Sequence, residues 1–309
     1  MTSLSTTFAK AETTPWYVDG RFLAAASAAC FSLKAIFVKL AYGAYPVDAV
    51  SLLAMRMGIA LPAFLWLACR EAPSGSSSSR QWLGLLGMGL LGYYLSSLFD
   101  FIGLQTISAG LERLILFTYP PMVVLLEAAI RKRPVSPQVW AGMALSYVGI
   151  LAAFAHDLHF QGAMASLLVG AGWVFLSSLS FSGYYMGSSI LVGKVGSNRM
   201  AGITGTAASG FVIAHFLFTH HASTLMQLPA SVWIYAAAMA MVSTVLPIWL
   251  AAKAVENMGA GKTAAIGSLG PALTIAFGWI ILGEAFSWMQ LLGMSLVIGG
   301  VWWVGKAKH

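Results

Sequence analysis

Charged residues stand inside the apolar stretches of this sequence, where a charge is costly. They include Lys34, Arg56, Asp100, Glu112 and Arg113. At the centre of a bilayer each charge costs roughly 2.5–3.5 kcal/mol even on the most permissive insertion scale, so the side chain must face protein or water. A buried cation can pair with a carboxylate or meet an anionic substrate group, and a buried carboxylate can also carry a coupling proton. These residues are therefore the first candidates for chemistry.

The residues alone leave two interpretations of these charges open. We favour substrate binding for Lys34 over a structural ion pair, because charges inside a membrane usually mark a functional site. For Arg56 we favour a structural role. Asp100 and Glu112 flank an outward turn next to Arg113, so we favour an internal ion pair with Arg113 or Lys39. The alternative is a proton-coupling role for Asp100 or Glu127.

Aromatic and hydroxyl side chains lie at a similar depth to Lys34. A buried tyrosine hydroxyl needs a hydrogen-bond partner, and several tyrosines near the middle of spans predict a polar, aromatic cavity. Each tyrosine alone would more often be part of the packed core. The predicted substrate-binding residues are Lys34, Tyr93, Tyr94, Ser97, Tyr119, Trp173 and Tyr184.

The composition is that of a membrane protein with many spans. Of 309 residues, 59% are hydrophobic and 9% are charged. Ten spans of roughly 20 residues would occupy about two thirds of the chain, which leaves no room for a soluble catalytic or nucleotide-binding domain. We therefore predict no catalytic residue, no cofactor and no ATP-driven step. The net charge of +7 is spread singly between the spans, which argues against nucleic acid as a partner.

Two histidine pairs could suggest a metal ion. The pairs are His156 with His159 and His220 with His221. They lie in different predicted connections, and surface histidines are the more frequent explanation of each pair. We therefore predict no metal site.

One stretch of the chain is duplicated. Residues from Leu95 to Gly149 return without a gap 151 residues later, as Leu246 to Gly300. The matched pairs are Ala109/Ala260, Gly110/Gly261, Pro120/Pro271, Ser136/Ser287, Gly142/Gly293, Met143/Met294 and Gly149/Gly300. The basic cluster Arg131-Lys132-Arg133 has no basic equivalent in the second copy, and basic clusters stay on the cytoplasmic side of a membrane. The second copy is therefore predicted to be inverted, as in secondary transporters.

The apolar stretches predict an all-α protein with ten transmembrane helices in two inverted five-helix repeats. An odd number of spans in each repeat inverts the second copy. We place a tail at residues 1–20, the first repeat at 21–155, the second repeat at 156–305 and the C-terminus at 306–309. In chain order, the predicted spans are Phe22–Tyr42, Val47–Cys69, Trp82–Gln105, Ser108–Ile130, Pro134–Ala155, Leu168–Val192, Met200–Phe218, Ser231–Ala254, Gly259–Leu282 and Ser287–Val304.

Lysine and arginine mark one side of the membrane. The two termini and the even-numbered connections hold every basic residue that lies outside the spans, and the opposite connections hold none. Because basic residues are retained on the cytoplasmic side, both termini are predicted to be cytoplasmic. Pro120 and Pro271 are equivalent prolines in spans four and nine, and such paired helix breaks predict a hinge near the binding region.

Several motifs occur in an order that is typical of a known family. In chain order they are Phe31-Ser32-Leu33-Lys34 with Lys39, Arg56, Pro271, Leu282-Gly283-Glu284, Gly293 and Gly300. Over residues 21–305 this order resembles the drug/metabolite transporter superfamily, in particular its EamA-type ten-helix members. Phe31-Ser32 replaces the Trp-Gly of that family, and Lys34 is an additional charge in the interior of the first span.

The resemblance implies a secondary transporter in the bacterial inner membrane that works by alternating access. It exports small organic metabolites, with amino acids as the expected substrates, as in exporters of the YddG type. The alternative is a carrier of another metabolite or of a drug-like compound, in either direction. An intramembrane enzyme or a channel is less well supported, because the chain has no clustered catalytic groups and no ring that would line a pore. The expected partners are a small-molecule substrate and the lipid bilayer, and a monomer suffices.

Overall fold

The computed structural model describes residues 19–70, 78–132, 134–161 and 163–306. Most of the predicted tail at residues 1–20 and most of the C-terminus at 306–309 therefore lie outside the described residues. The described residues form helices and short connections. The prediction of an all-α membrane protein with ten spans is confirmed.

Nine helices of the described residues are long and apolar enough to cross a bilayer. They are Gly20–Ala44, Ala49–Arg70, Ser79–Gly103, Ala109–Arg131, Pro137–His159, Met164–Val195, Ser197–Thr219, Ala230–Met258 and Trp288–Gly305. They form spans one to eight and span ten. Span nine consists of two shorter helices, Ala260–Gly267 and Gly270–Leu282, instead of the single predicted helix. A short helix, Ser223–Met226, lies in the connection between spans seven and eight.

Local sequence signals set the ends of these helices. The side chain of Asp19 accepts a hydrogen bond from the Arg21 backbone at the start of span one, and Ser108 does the same for Leu111 at the start of span four. Short polar side chains satisfy the free N–H groups of a first turn in this way. Gly196 precedes span seven with a φ of 85°, a backbone conformation that favours glycine.

Irregular turns of the helices recur at the repeat distance. Span three contains a π-helical stretch at Gly89–Leu95, and span eight contains one at Met241–Val245. Span four is interrupted after Leu116 and resumes at Tyr119, and span nine is interrupted after Gly267 and resumes at Gly270. The duplication therefore extends to these departures from regular helix, which are frequent at functional sites. A further π-helical stretch, Gly278–Leu282 at the end of span nine, has no counterpart in span four.

Pro120 and Pro271 lie just after these interruptions. Each occupies the first turn of the half-helix that follows the break. Proline fits there because the N–H group that it lacks would have no partner within the helix. The interruption itself lies two or three residues before each proline.

The packing of the helices follows a pseudo-two-fold axis. Span two packs on span seven, and span five packs on span ten, so these spans meet their own counterparts. Span one packs on spans eight and nine, and span six packs on spans three and four. The first span of each repeat therefore packs against the other repeat.

Spans five and ten approach each other closely because four glycines meet between them. Gly142 faces Gly300, and Gly149 faces Gly293. A Cβ atom at Gly142 would lie 2.7 Å from the carbonyl oxygen of Gly300. Small residues allow such approach between membrane helices.

This contact predicts that Gly142→Ala destabilises the protein. The added methyl group would push two backbones apart, at a cost of about 1–3 kcal/mol. Gly172→Ala is the matched control, because a Cβ atom at Gly172 meets no atom within 4 Å. Both positions lie inside helices, so the change from glycine to alanine raises helix propensity equally in the two variants. Thermal unfolding in detergent should show a lower Tm for Gly142→Ala alone, and equal Tm values would contradict the close contact.

Candidate functional site

One lysine and two carboxylates meet between spans one, three and four. Lys34 Nζ lies 2.6 Å from Asp100 Oδ2 and 3.7 Å from Glu112 Oε1. The Lys34 side chain is 16% exposed, whereas Asp100 is 2% exposed and Glu112 is fully buried. We call these three residues the charged layer. The structure thus pairs the two carboxylates with Lys34 rather than with Arg113 or Lys39.

Arg56 lies beside the charged layer and is held by other spans. Its Nε donates to Thr244 Oγ1 at 3.1 Å, and its Nη1 donates to Ser97 Oγ at 3.4 Å. The guanidinium carbon lies 5.5 Å from the centre of the Phe101 ring. Ser97 and Asp100 are three residues apart and so share one face of span three. Arg56 therefore joins spans two, three and eight next to the lysine.

The sequence places these groups through helix geometry. Glu112 lies in the first turn of the half-helix Ala109–Leu116, which begins at the Ser108 cap. A carboxylate in a first turn interacts favourably with the helix dipole. Asp100 follows the π-helical stretch Gly89–Leu95, whose extra residue per turn rotates the rest of span three.

A second set of polar groups lies at the ends of the spans opposite the two termini, on the side that the basic residues predict to be outside. Lys39 Nζ donates to the carbonyls of Leu104 at 3.2 Å and Ile107 at 2.8 Å. Asp157 accepts from the N–H and the hydroxyl of Ser108, both at 2.9 Å. Glu284 Oε1 accepts from the N–H of Ala109 at 2.9 Å. We call Lys39, Ser108, Asp157 and Glu284 the outer layer. It ties spans one, four and five and the end of span nine together.

Glu284 follows the end of span nine, whereas Lys39 and Asp157 lie within spans. Burial raises the pKa of its carboxyl group, and the N–H of Ala109 and the charge of Lys39 oppose that rise. Its Oε2 atom has no hydrogen-bond partner among the described residues. Glu284 is therefore a buried carboxyl group of the outer layer with spare acceptor capacity.

Three of the predicted tyrosines form one aromatic cluster. Tyr93 of span three packs edge to face on Tyr184 of span six, with ring centres 5.4 Å apart. The Phe181 ring lies between the other two tyrosines. Its centre is 5.5 Å from that of Tyr184 and 5.0 Å from that of Tyr119 in span four. The cluster therefore lies where span six crosses spans three and four.

The remaining predicted residues lie apart from these groups. Tyr94 turns towards span seven, where its hydroxyl lies 2.9 Å from His215 Nδ1. Trp173 packs on Phe99, with ring centres 5.4 Å apart. The guanidinium of Arg113 lies against the backbone of Gly270, at the start of the second half of span nine.

Serine hydroxyls support the irregular backbone, and the sequence analysis missed them. Ser32 donates to the Gly270 carbonyl at 3.0 Å, and Ser182 donates to the Tyr119 carbonyl at 3.2 Å. Gly270 and Tyr119 are equivalent positions of the two repeats, 151 residues apart. Both serines therefore bind the first residue of the half-helix that follows a break, and they tie that residue to span one or span six.

A second serine pair repeats this arrangement. Ser27 donates to the Pro247 carbonyl at 2.8 Å, and Ser177 donates to the Ser96 carbonyl at 2.7 Å. Pro247 and Ser96 are again 151 residues apart. The signal was present in the sequence, because serines five residues apart occur in both span one and span six.

Thr244 and Asp157 were also missed as partners. Asp157 stands between two histidines at the end of span five, and Thr244 lies in the π-helical stretch of span eight. Neither residue has a motif of its own. Within the described part of the chain, no group of three or more His, Cys, Asp or Glu residues could hold a metal ion.

Comparisons with known proteins agree with the fold. Residues 19–155 and 168–306 each match the model of the EamA-like transporter family. The uncharacterized transporter YcbK of Bacillus subtilis (strain 168) is 34% identical over 286 residues, which cover 89% of this chain and 88% of that protein. The uncharacterized transporter YdfC of the same organism is 24% identical over 214 residues, or 69% of this chain and 68% of that protein.

A solved crystal structure has the same fold. Its TM-score is 0.62, with 16% sequence identity, and the match covers 93% of this chain and 98% of that chain. At this identity the likeness concerns the arrangement of the helices alone.

The charged layer predicts that its two carboxylates contribute unequally to stability. Asp100→Asn removes the closer partner of Lys34 and leaves a buried cation poorly paired, which costs about 3–5 kcal/mol. Glu112→Gln keeps the 2.6 Å pair and should cost less. Glu127→Gln is the exposed control, since its surface pair with Arg131 contributes at most about 1 kcal/mol. Thermal unfolding should rank Asp100→Asn lowest in Tm, and the opposite order of the two layer variants would refute this pairing.

Proposed function

Because the chain belongs to the EamA-like transporter family, we propose that it exports amino acids by alternating access. It works as a secondary carrier in a bacterial inner membrane, with both termini in the cytoplasm. The two five-helix repeats, residues 21–155 and 156–305, rearrange around a site between them, and one copy of the chain suffices.

The observation that carries this proposal is the charged layer. One lysine, 16% exposed, faces two buried carboxylates, so both signs of charge are available in one place. An amino acid has a carboxylate and an ammonium group close together. Lys34 is the most accessible member of the layer and receives the carboxylate of the substrate, while a buried carboxylate receives the ammonium group.

The aromatic cluster supports an organic substrate. Tyr93, Tyr119 and Tyr184 give apolar ring surface with hydroxyl groups at the crossing of three spans. Such a lining suits the side chain of an apolar or aromatic amino acid. The helix break of span four directly precedes Tyr119, and such breaks are common at the binding sites of inverted-repeat carriers.

The outer layer supports a cycle that starts from the cytoplasm. Its hydrogen bonds join the outer ends of several spans, so they must break before a substrate leaves on that side. The equivalents of Ser108 and Glu284 in the other repeat are Gly259 and Arg133, which cannot make the same bonds. The two sides are therefore closed by different chemistry.

This function predicts saturable counterflow that depends on Lys34. Proteoliposomes preloaded with unlabelled amino acids should take up labelled ones from a panel. Lys34→Ala should reduce this exchange about tenfold or more, because it removes a charge-assisted hydrogen bond to the substrate. Lys253→Ala is the control, since Lys253 is exposed and pairs with Glu256 three residues away.

The possible results separate the parts of the proposal. Full exchange of amino acids by Lys34→Ala would show that Lys34 is not a binding residue. Exchange of a different metabolite, without exchange of any amino acid, would keep the carrier and refute the substrate class. Equal loss in both lysine variants would point to a general effect of the substitutions.

A further inference from the structure

We propose that the Asp100–Glu112 carboxylate pair binds a proton and that the carrier exchanges this proton for the ammonium group of its substrate. Export is then coupled to the inward movement of protons. The substrate part of this inference rests on the proposed function, whereas the proton site rests on the geometry of the charged layer.

The first step is the charge balance of the charged layer. Lys34 is 2.6 Å from Asp100 but 3.7 Å from Glu112, so one cation is shared unequally between two carboxylates. Glu112 is fully buried, its side chain adjoins that of Asp100, and no N–H or O–H group of the described residues donates to either of its oxygens. An unpaired buried carboxylate is very costly. A proton on the pair, or an ammonium group beside it, removes that cost.

The second step concerns the other charges around Glu112. They are Lys34 and Lys39 on span one, Arg56 on span two, Asp100 on span three, Arg113 on span four itself, Asp157 on span five and Glu284 after span nine. Spans six and ten and the second half of span nine contribute no charge at this depth. Of the described cations, Lys34 alone comes within ion-pair distance of Glu112.

None of the remaining described cations forms an ion pair with Glu112. Arg56 donates to Thr244 and Ser97, and Lys39 donates to two backbone carbonyls of the outer layer. The guanidinium of Arg113 lies against Gly270. The second carboxylate of the layer therefore has room for one more positive charge.

The third step is a route from the outer side. Glu284 binds the N–H of Ala109, and Glu112 lies three residues further along the same half-helix, about 4.5 Å deeper. The free, buried Oε2 of Glu284 can hold a proton between the outer surface and Glu112. Carboxyl groups in series at membrane depth are typical of proton relays.

The fourth step is the competition itself. One carboxylate cannot hold a proton and accept an ammonium group at the same time, so the two ligands displace each other. Such mutual exclusion couples the two binding equilibria, and the coupling is reciprocal. The proton leaves Glu112 towards the cytoplasm when a substrate arrives, and it returns from outside when the substrate is released.

The test compares Glu112→Gln with the exposed control Glu127→Gln. Proteoliposomes contain a pH-sensitive dye, and a transported amino acid is added outside. We expect the wild type and Glu127→Gln to release protons from the lumen as substrate enters. An acidic lumen should drive accumulation of substrate in both. For Glu112→Gln we expect any residual exchange to be independent of pH and to move no protons.

Two results would overturn the inference and leave the carrier intact. One is amino-acid exchange by the wild type without proton movement. The other is a wild-type ratio of protons to substrate in Glu112→Gln.

A second measurement needs no substrate, so it tests the proton site even when no amino acid is exchanged. Infrared difference spectra of the purified protein, recorded during a pH titration, detect protonated carboxyl groups by their C=O band. A buried band that is present in the wild type and Glu127→Gln but absent from Glu112→Gln supports the proton site, even if no amino acid is exchanged. The same band in all three proteins, or in none, refutes it.

Discussion

The ion pair between Lys34 and Asp100 is the interaction around which the spans are arranged. In hydrocarbon a charge has no water to solvate it, so Lys34 can be buried only where spans three and four bring carboxylates to it. The same constraint fixes Arg56, whose partners come from spans three and eight. Five spans are thereby held in one relative rotation. Apolar packing alone would set this rotation less strictly, because lipid tails are as apolar as most side chains.

Duplication supplies the scaffold, and departures from it supply the charges. The helix breaks, the π-helical stretches of spans three and eight and the serine bonds recur in both repeats at equivalent positions. The carboxylates do not recur, since Asp100 and Glu112 correspond to Ala251 and Thr263. An inverted repeat can exchange two equivalent shapes, one closed outside and one closed inside. The protein therefore combines a symmetric scaffold with a one-sided set of charges, and the two closed states cannot have the same energy.

The sequence was sufficient for the spans and the repeats, but not for the contacts between them. Long apolar stretches and the 151-residue offset predict ten spans because both signals are local or exactly repeated in the chain. Which side chains pair across spans depends on the rotation of each helix about its axis, and hydropathy does not report that rotation. The hydrogen bond from Arg56 to Thr244, for example, joins residues 188 positions apart in the chain. Adjacent tyrosines show the same limit, because Tyr93 joins the aromatic cluster and Tyr94 faces span seven. About 100° of rotation separates neighbouring residues of a helix, so equal depth does not mean a shared site.

The outer layer and the charged layer both contact the same short element, the eight-residue half-helix Ala109–Leu116. Asp157 and Glu284 accept hydrogen bonds from the backbone at its start, and Glu112 on its first turn lies near Lys34. A two-residue turn separates this half-helix from the rest of span four. Any movement that releases the outer bonds also changes the distance between Lys34 and Glu112. A ligand that alters the charge at Glu112 must therefore alter the free energy of outer closure, because coupling between two sites acts in both directions.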